Sequence, residues 1–285
     1  MNLTKPLMPN DLGFDFGCAT IAAMRRFVLP AALCLAIAAP VRAADDPLAR
    51  ARLLYNQGQF EAAINAAEQA RLTPARADAA DLVAARAYLE RFRASAAADD
   101  LVNARDRLRR IDPQRFPPVE RAEYVVGLGE ALFFEGSFGA AADVLDTIVR
   151  TDDLLASEAR ERVLDWWASS LDRDAKPRPE IERQGVYQRI RERMDEELAV
   201  RPASGTAAYW LAAAARSQGD LQAAWDAAMA GWVRAPLTAD HGVALRADLD
   251  RLVLRAIVPD RAKATAQTPE SLLQQWEQFK QRWSR

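Results

Sequence analysis

Residues 122–153 read AEYVVGLGEALFFEGSFGAAADVLDTIVRTDD. Leu128, Gly129 and Leu132 recur at three- and four-residue spacing, so they share one face of a helix. Phe138, Ala141, Leu145 and Ile148 do the same on a second helix. Gly136 stands between the two runs, where a left-handed backbone ends the first helix at little cost. Small residues at Gly129 and Ala141 let two helix backbones approach, and Leu132, Phe138 and Leu145 fill the layer between them. The stretch is therefore expected to be a hairpin of two amphipathic helices.

Two other stretches keep the same offsets from a turn glycine. Around Gly58 they place Arg50, Ala51, Leu54, Phe60, Ala63, Ala67 and Ala70. Around Gly219 they place Leu211, Ala212, Ala215, Leu221, Ala224, Ala228 and Gly231, with Pro236 closing the run. Equal offsets matter more than equal letters, because they decide which face each residue occupies.

These residues resemble the tetratricopeptide repeat family. The Leu-Gly pair 128–129, the turn glycines Gly58, Gly136 and Gly219, the aromatics Phe60 and Phe138, and the alanines Ala63, Ala141 and Ala224 carry the resemblance, with Pro74 and Pro236 near the family's terminal proline. Val125 stands where the family has a large aromatic in the first helix of the clearest copy. The family repeat is about 34 residues long. The turn glycines stand 78 and 83 residues apart (136 − 58 and 219 − 136), so one longer, degenerate hairpin is expected in each gap. The resemblance implies an all-α, right-handed superhelical solenoid of about five to six antiparallel hairpins, each burying its apolar face against its neighbours. An ordinary helical bundle rich in Ala and Leu is the competing reading.

The rest of the chain fits helices. Half of its residues are hydrophobic and 27% are charged, as in ordinary globular proteins. The periodicity predicts a degenerate pair at 79–94 and 99–111, and a helix running to about Leu171. A charged, proline-broken loop follows at 172–179, its core at 174–179. Further helices are expected at 180–200 and 238–258, then a polar linker at 259–268. The expected domains are thus hairpins at 44–173 and 180–258, and a capping helix at 269–285. That helix opens on Thr268-Pro269-Glu270, and Leu272, Trp276, Phe279 and Trp283 form its apolar stripe.

The N-terminus reads differently. Arg25 and Arg26 precede an apolar run at 27–39, and Val41-Arg42-Ala43 ends in small residues suited to cleavage. Residues 24–43 are expected to be a secretory signal peptide, too short for a confident membrane span, with 1–23 an extension upstream of the true start. Export to the periplasm or cell exterior of a bacterium, without stable membrane insertion, is the expectation. Cys18 and Cys34 both precede the cut, so the mature chain has no disulfide and no thiolate. Removing the four basic and two acidic residues of 1–43 from 38 and 40 leaves 34 and 38, a net charge of −4. Interleaved charge with a small acidic excess argues against a nucleic-acid binder.

No residue set points to catalysis, a metal or a cofactor. His241 is the single histidine and sits at a helix start, where a capping role is expected. No glycine-rich phosphate loop or Gly-x-Ser-x-Gly elbow occurs. Glu123, Glu130 and Glu135 share one helix and suggest at most a carboxylate pair of the glycoside hydrolase kind. The resemblance implies instead a concave groove lined by the first helix of each hairpin. By register its residues are Arg52, Tyr55 and Asn56, then Glu123, Val126, Glu130, Phe133 and Phe134, then Tyr209 and Arg216. Adjacent helix residues point about 100° apart, so one of Phe133 and Phe134 is open to the groove or both are core. The expected function is a non-enzymatic scaffold that binds a protein or peptide. The alternatives are a cell-envelope glycan hydrolase and a carrier of a small apolar ligand near Trp210, Trp225 and Trp232.

Overall fold

The computed structural model describes residues 46–151 and 154–283. The expected leader at 24–43, both cysteines and the Asp152–Asp153 pair lie outside the described residues. Every regular element among the described residues is helical, and consecutive helices pack as pairs. The chain divides into two compact units between Phe116 and Pro117. The N-terminal unit holds α1 (Pro47–Asn56), α2 (Phe60–Arg71), α3 (Ala77–Ser95) and α4 (Ala98–Leu108). The C-terminal unit holds α5 (Pro118–Phe134), α6 (Phe138–Val149), α7 (Ser157–Ala175), α8 (Glu180–Val200), α9 (Gly205–Ser217) and α10 (Leu221–Arg234). It ends with α11 (Val243–Leu252), α12 (Val258–Ala264) and α13 (Pro269–Trp283).

The three turn glycines close their hairpins in one way. Gly58, Gly136 and Gly219 have φ of 72°, 82° and 80°. The residue after each donates its N–H five positions back: Gln59 to the Leu54 carbonyl at 2.9 Å, Ser137 to Leu132 at 2.9 Å, Asp220 to Ala215 at 3.0 Å. This left-handed cap satisfies carbonyls that a helix end leaves orphaned. In the degenerate pair Ala96 takes the left-handed role, at φ 54°.

The shared offsets are the packing contacts. Ala51 and Ala212, seven residues before the turn, are fully buried, and so are Ala63, Ala141 and Ala224, five residues after it. A methyl group on Gly129, the third copy of the first position, would stand 2.5 Å from Leu145 Cδ2. A methyl on Gly231 would stand 2.9 Å from Leu249 Cδ1. The small residues thus set how near two helices come, and the large ones fill what is left.

Each hairpin also packs on the next. In the N-terminal unit α2 lies on α3, and α1 on α3. There Arg107 of α4 reaches Asp81 of α3 at 2.7 Å and pairs with Glu68 of α2. In the C-terminal unit α6 lies on α7, α8 on α9 and α10 on α11. The first helices of successive hairpins touch as well: α5 with α7, α7 with α9, and α9 with α11.

The last hairpin departs from the others. After α11 the helix widens into a π turn (Val253–Ile257) just before Pro259, which has no N–H to offer. Helix α13 begins as its sequence suggests, with the Thr268 hydroxyl accepting the Ser271 N–H at 3.2 Å and Pro269 leading the first turn. Its Leu272, Trp276 and Phe279 are buried, and α13 packs on α10 and α12. The Trp276 ring meets Trp225 and Trp232 edge-on at 5.8 and 5.5 Å. Trp283, the last member of the expected stripe, is 53% exposed.

Three local expectations need correction. Helix α7 continues to Ala175, through half of the stretch expected as a loop. There Lys176 bridges back to Asp172 at 2.8 Å, and Asp172 also accepts the Tyr187 hydroxyl at 3.0 Å. Most of the expected linker at 259–268 is helical, as α12. His241 is not the cap of the following helix. It sits exposed at φ 56°, while the Asp240 carboxylate accepts the N–H groups of Gly242 and Ala244 at 3.0 and 2.7 Å.

The charged residues of α8 are not all solvated. Glu197 is 1% exposed and meets Arg160 of α7 in a two-pronged bond, at 2.8 and 2.6 Å. Arg160 also donates to the carbonyls of Thr151 and Val149, at 3.1 and 3.2 Å, just past and at the end of α6. Three helices are therefore tied through one buried, fully bonded ion pair. Burial pushes the Glu197 carboxyl up, but Arg160, with Arg201 and Arg193, more than offsets this and holds it below the usual range.

Removing one partner of such a pair leaves a buried charge, so Glu197→Ala should cost about 3–5 kcal/mol in urea unfolding. Because the folded-state value is depressed, the ion pair's contribution is present above the ordinary value of 4.5 and is lost as pH falls through the lower folded one. The wild-type Tm should drop on that acid side, and Glu197→Ala should flatten the drop. Overpacking makes Gly129→Ala destabilising by about 1–3 kcal/mol. Trimming the opposing residue in the double variant with Leu145→Val should recover part of that loss, as read from unfolding midpoints.

Candidate functional site

The residues expected in a groove fall into two units and are taken separately. On α1 Arg52 and Asn56 are exposed. Tyr55 is half-buried, tilted against Phe60 at 5.8 Å, with the Arg86 guanidinium of α3 over its ring at 4.6 Å. The cation rests on the electron-rich face of the ring.

In the C-terminal unit Glu123, Val126, Glu130 and Phe134 of α5 are all half-buried. Spacings of three and four residues put them on one face of the helix. Phe134 meets Trp166 of α7 edge-on, at 5.2 Å and 77°. Trp166 is itself half-buried, so the two rings form a shared aromatic ledge on neighbouring first helices.

Phe133 belongs to the core. It is 7% exposed, its ring meets Phe138 at 5.4 Å and Trp166 at 5.3 Å, and Arg173 lies over Phe133 and Phe138 at 5.2 and 5.4 Å. It holds the turn end of the hairpin onto α7 and presents no surface. Tyr209, also 7% exposed, packs against Trp210 and likewise leaves the set of surface residues. Arg216 is held by Asp260 of α12, through Nε at 2.9 Å and Nη2 at 2.8 Å. Of the ten residues expected to line a groove, Phe133 and Tyr209 are thus packing residues, and Arg216 ties α9 to the last hairpin.

Trp166 is not among the residues expected to line a groove, yet it completes the ledge. The sequence does carry a signal for it. Trp166-Trp167 repeats the adjacency of Phe133-Phe134, and one ring of each pair is core: Trp167 is 1% exposed and donates its Nε1–H to Asp146 at 3.0 Å. Trp210, Trp225 and Trp232 are all buried.

Glu135, with Glu123 and Glu130 a member of the carboxylate set on α5, lies exposed at that helix's C-terminal end. Among the described residues no group of three or more His, Cys, Asp or Glu could hold a metal ion. No described helix is long and apolar enough to cross a membrane. No protein-family model matches the chain. No curated protein matches it either.

The ledge and the core ring beneath it should separate by stability. Phe133→Ala should cost about 3–5 kcal/mol, as for a buried aromatic. Phe134→Ala, which removes a half-buried ring, should cost about 1 kcal/mol. Urea unfolding of the two variants checks the difference.

Proposed function

We propose that each unit is a tetratricopeptide-like stack coiled as a right-handed superhelix, and that the C-terminal unit binds a protein or peptide on the face of its first helices. The observation that carries the reading is the Phe134–Trp166 ledge, two half-buried rings touching across α5 and α7. Aromatic side chains left part-open beside charged ones are the usual anchors of a protein interface. Val126 extends the apolar surface one turn further along α5, and Glu123 and Glu130 border it. In the N-terminal unit Arg52, Asn56 and the Arg86-covered Tyr55 form a separate, more polar patch.

The three equal turn caps and the contacts between successive first helices support the repeat reading. The reading is of a scaffold without catalytic chemistry, acting in the periplasm or outside a bacterial cell once the leader at 24–43 is removed. The packing of Trp210, Trp225 and Trp232 into the core favours this over carriage of a small apolar ligand.

A photo-crosslinking residue placed at Glu130 should capture one polypeptide in cells, and the same residue at Asp195, exposed on α8, should not. Phe134→Ala and Trp166→Ala should each weaken retention of that polypeptide by about tenfold, roughly 1.4 kcal/mol, while both variants stay folded. Equal capture from both positions, or glycan fragments co-purifying without a protein, would overturn the reading.

A further inference from the structure

A groove of about 440 Å³ lies between α1 and α2 in the N-terminal unit. Ligand-binding clefts commonly measure about 300–1,000 Å³. Pro47, Arg50 and Leu54 of α1 form one wall, three and four residues apart and therefore on one helix face. Ala62, Asn65, Ala66 and Gln69 of α2 form the other, at the same kind of spacing. Among the described residues no helix precedes α1, so no earlier hairpin packs here.

The polar groups of these walls are unused. Arg50, Asn65 and Gln69 are exposed, and among the described residues none of their side chains makes a hydrogen bond or an ion pair. The acidic side chains of the hairpin are engaged elsewhere. Asp46 caps α1 by accepting the Leu48 N–H at 3.0 Å and pairs with Arg76. On α2, Glu61 pairs with Arg91 of α3, and Glu68 with Arg107 of α4. Helix α1 carries no acidic residue, and none lines the groove. Arg50 therefore keeps a charge that its own hairpin does not neutralise.

The spacing of the two carboxamides fits an extended chain. Asn65 and Gln69 stand four residues apart, an advance of about 6 Å along a helix. Two residues of extended chain advance about 6.6 Å. A peptide laid along α2 thus brings the main-chain groups of alternate residues to Asn65 and Gln69, each of which can both donate and accept. Ala62 and Ala66 are short, so the peptide can lie close to the helix, with Pro47 and Leu54 as apolar contacts on the other side. Arg50 stands on that opposite wall, where a guanidinium can take a carboxylate in a two-pronged bond. Nucleic acid would meet a single cation here, and its phosphates call for several.

We propose that the groove between α1 and α2 binds an extended peptide segment that carries an acidic side chain. Asn65 and Gln69 hold its main chain, and Arg50 holds its carboxylate. The site lies wholly in the N-terminal unit and shares no residue with the Phe134–Trp166 ledge, so the two binding surfaces stand or fall separately.

The test is a titration of the full-length chain with a short, end-capped Thr/Val peptide bearing one central Glu, followed by NMR of the Asn65 and Gln69 side-chain amides. Both amides should shift along one saturating curve. Arg50→Gln should weaken binding by about tenfold, and so should a peptide with Gln in place of its Glu, because each removes the same charge-assisted pair. The two changes together should cost little more than either alone. Ala62→Leu, which fills the groove, should abolish binding, and Phe134→Ala should leave it unchanged. Arg50 is exposed, so Arg50→Gln should keep the wild-type Tm. No shift at Asn65 and Gln69, equal binding of the Glu and Gln peptides, or full affinity in Arg50→Gln would overturn the proposal. Binding only of an uncapped peptide, through its terminal carboxylate, would overturn it as well.

Discussion

The close approach of helix to helix at small residues is the constraint on which the rest of this structure depends. Where Gly129 faces Leu145 and Gly231 faces Leu249, there is no room for one more carbon atom. The buried alanines at equal offsets from the turn glycines hold the other hairpins to a similar spacing. Two helices so close must meet at one register, because any slide brings a leucine onto a backbone. The turn caps at Gly58, Gly136 and Gly219 then start each second helix in the same direction. Position, spacing and direction follow from a few residues per hairpin, which leaves the first helices in contact with one another along the unit.

That contact decides what the surface can offer. When α5 and α7 lie side by side, the neighbouring aromatics of each helix are divided between inside and outside. Phe133 and Trp167 go to the core, and Phe134 and Trp166 remain half-open against each other. The buried Arg160–Glu197 pair keeps α6, α7 and α8 together behind this ledge. Phe133 packs against both rings of the ledge from the core side, and side chains already held by packing lose little freedom when a partner covers them.

Much of this was legible in the sequence because helical periodicity and turn chemistry are local. The glycine turns, the small-residue offsets, the start of α8 at Glu180 and the Thr268-Pro269 cap of α13 follow from patterns within a turn or two. What was not legible depends on distant partners. The reach of α7 to Ala175 is held by Tyr187 and Lys176 meeting Asp172. Glu197 looks like one of several charged residues on α8 until Arg160, 37 positions earlier, is placed against it. Tyr209 and Arg216 have the register of surface residues, yet Trp210 packing and Asp260 claim them. In each case a long-range contact overrides a local pattern, and no spacing rule in one sequence announces it.

The proposed binding face is the row of first helices in the C-terminal unit. Amide hydrogen exchange of the chain, with and without its captured partner, tests it most directly. Added protection is expected on α5 and α7, strongest near Phe134 and Trp166, with little change on α6, α8 and α10. Protection confined to the second helices, or no change on α5 and α7 at saturating partner, would contradict it.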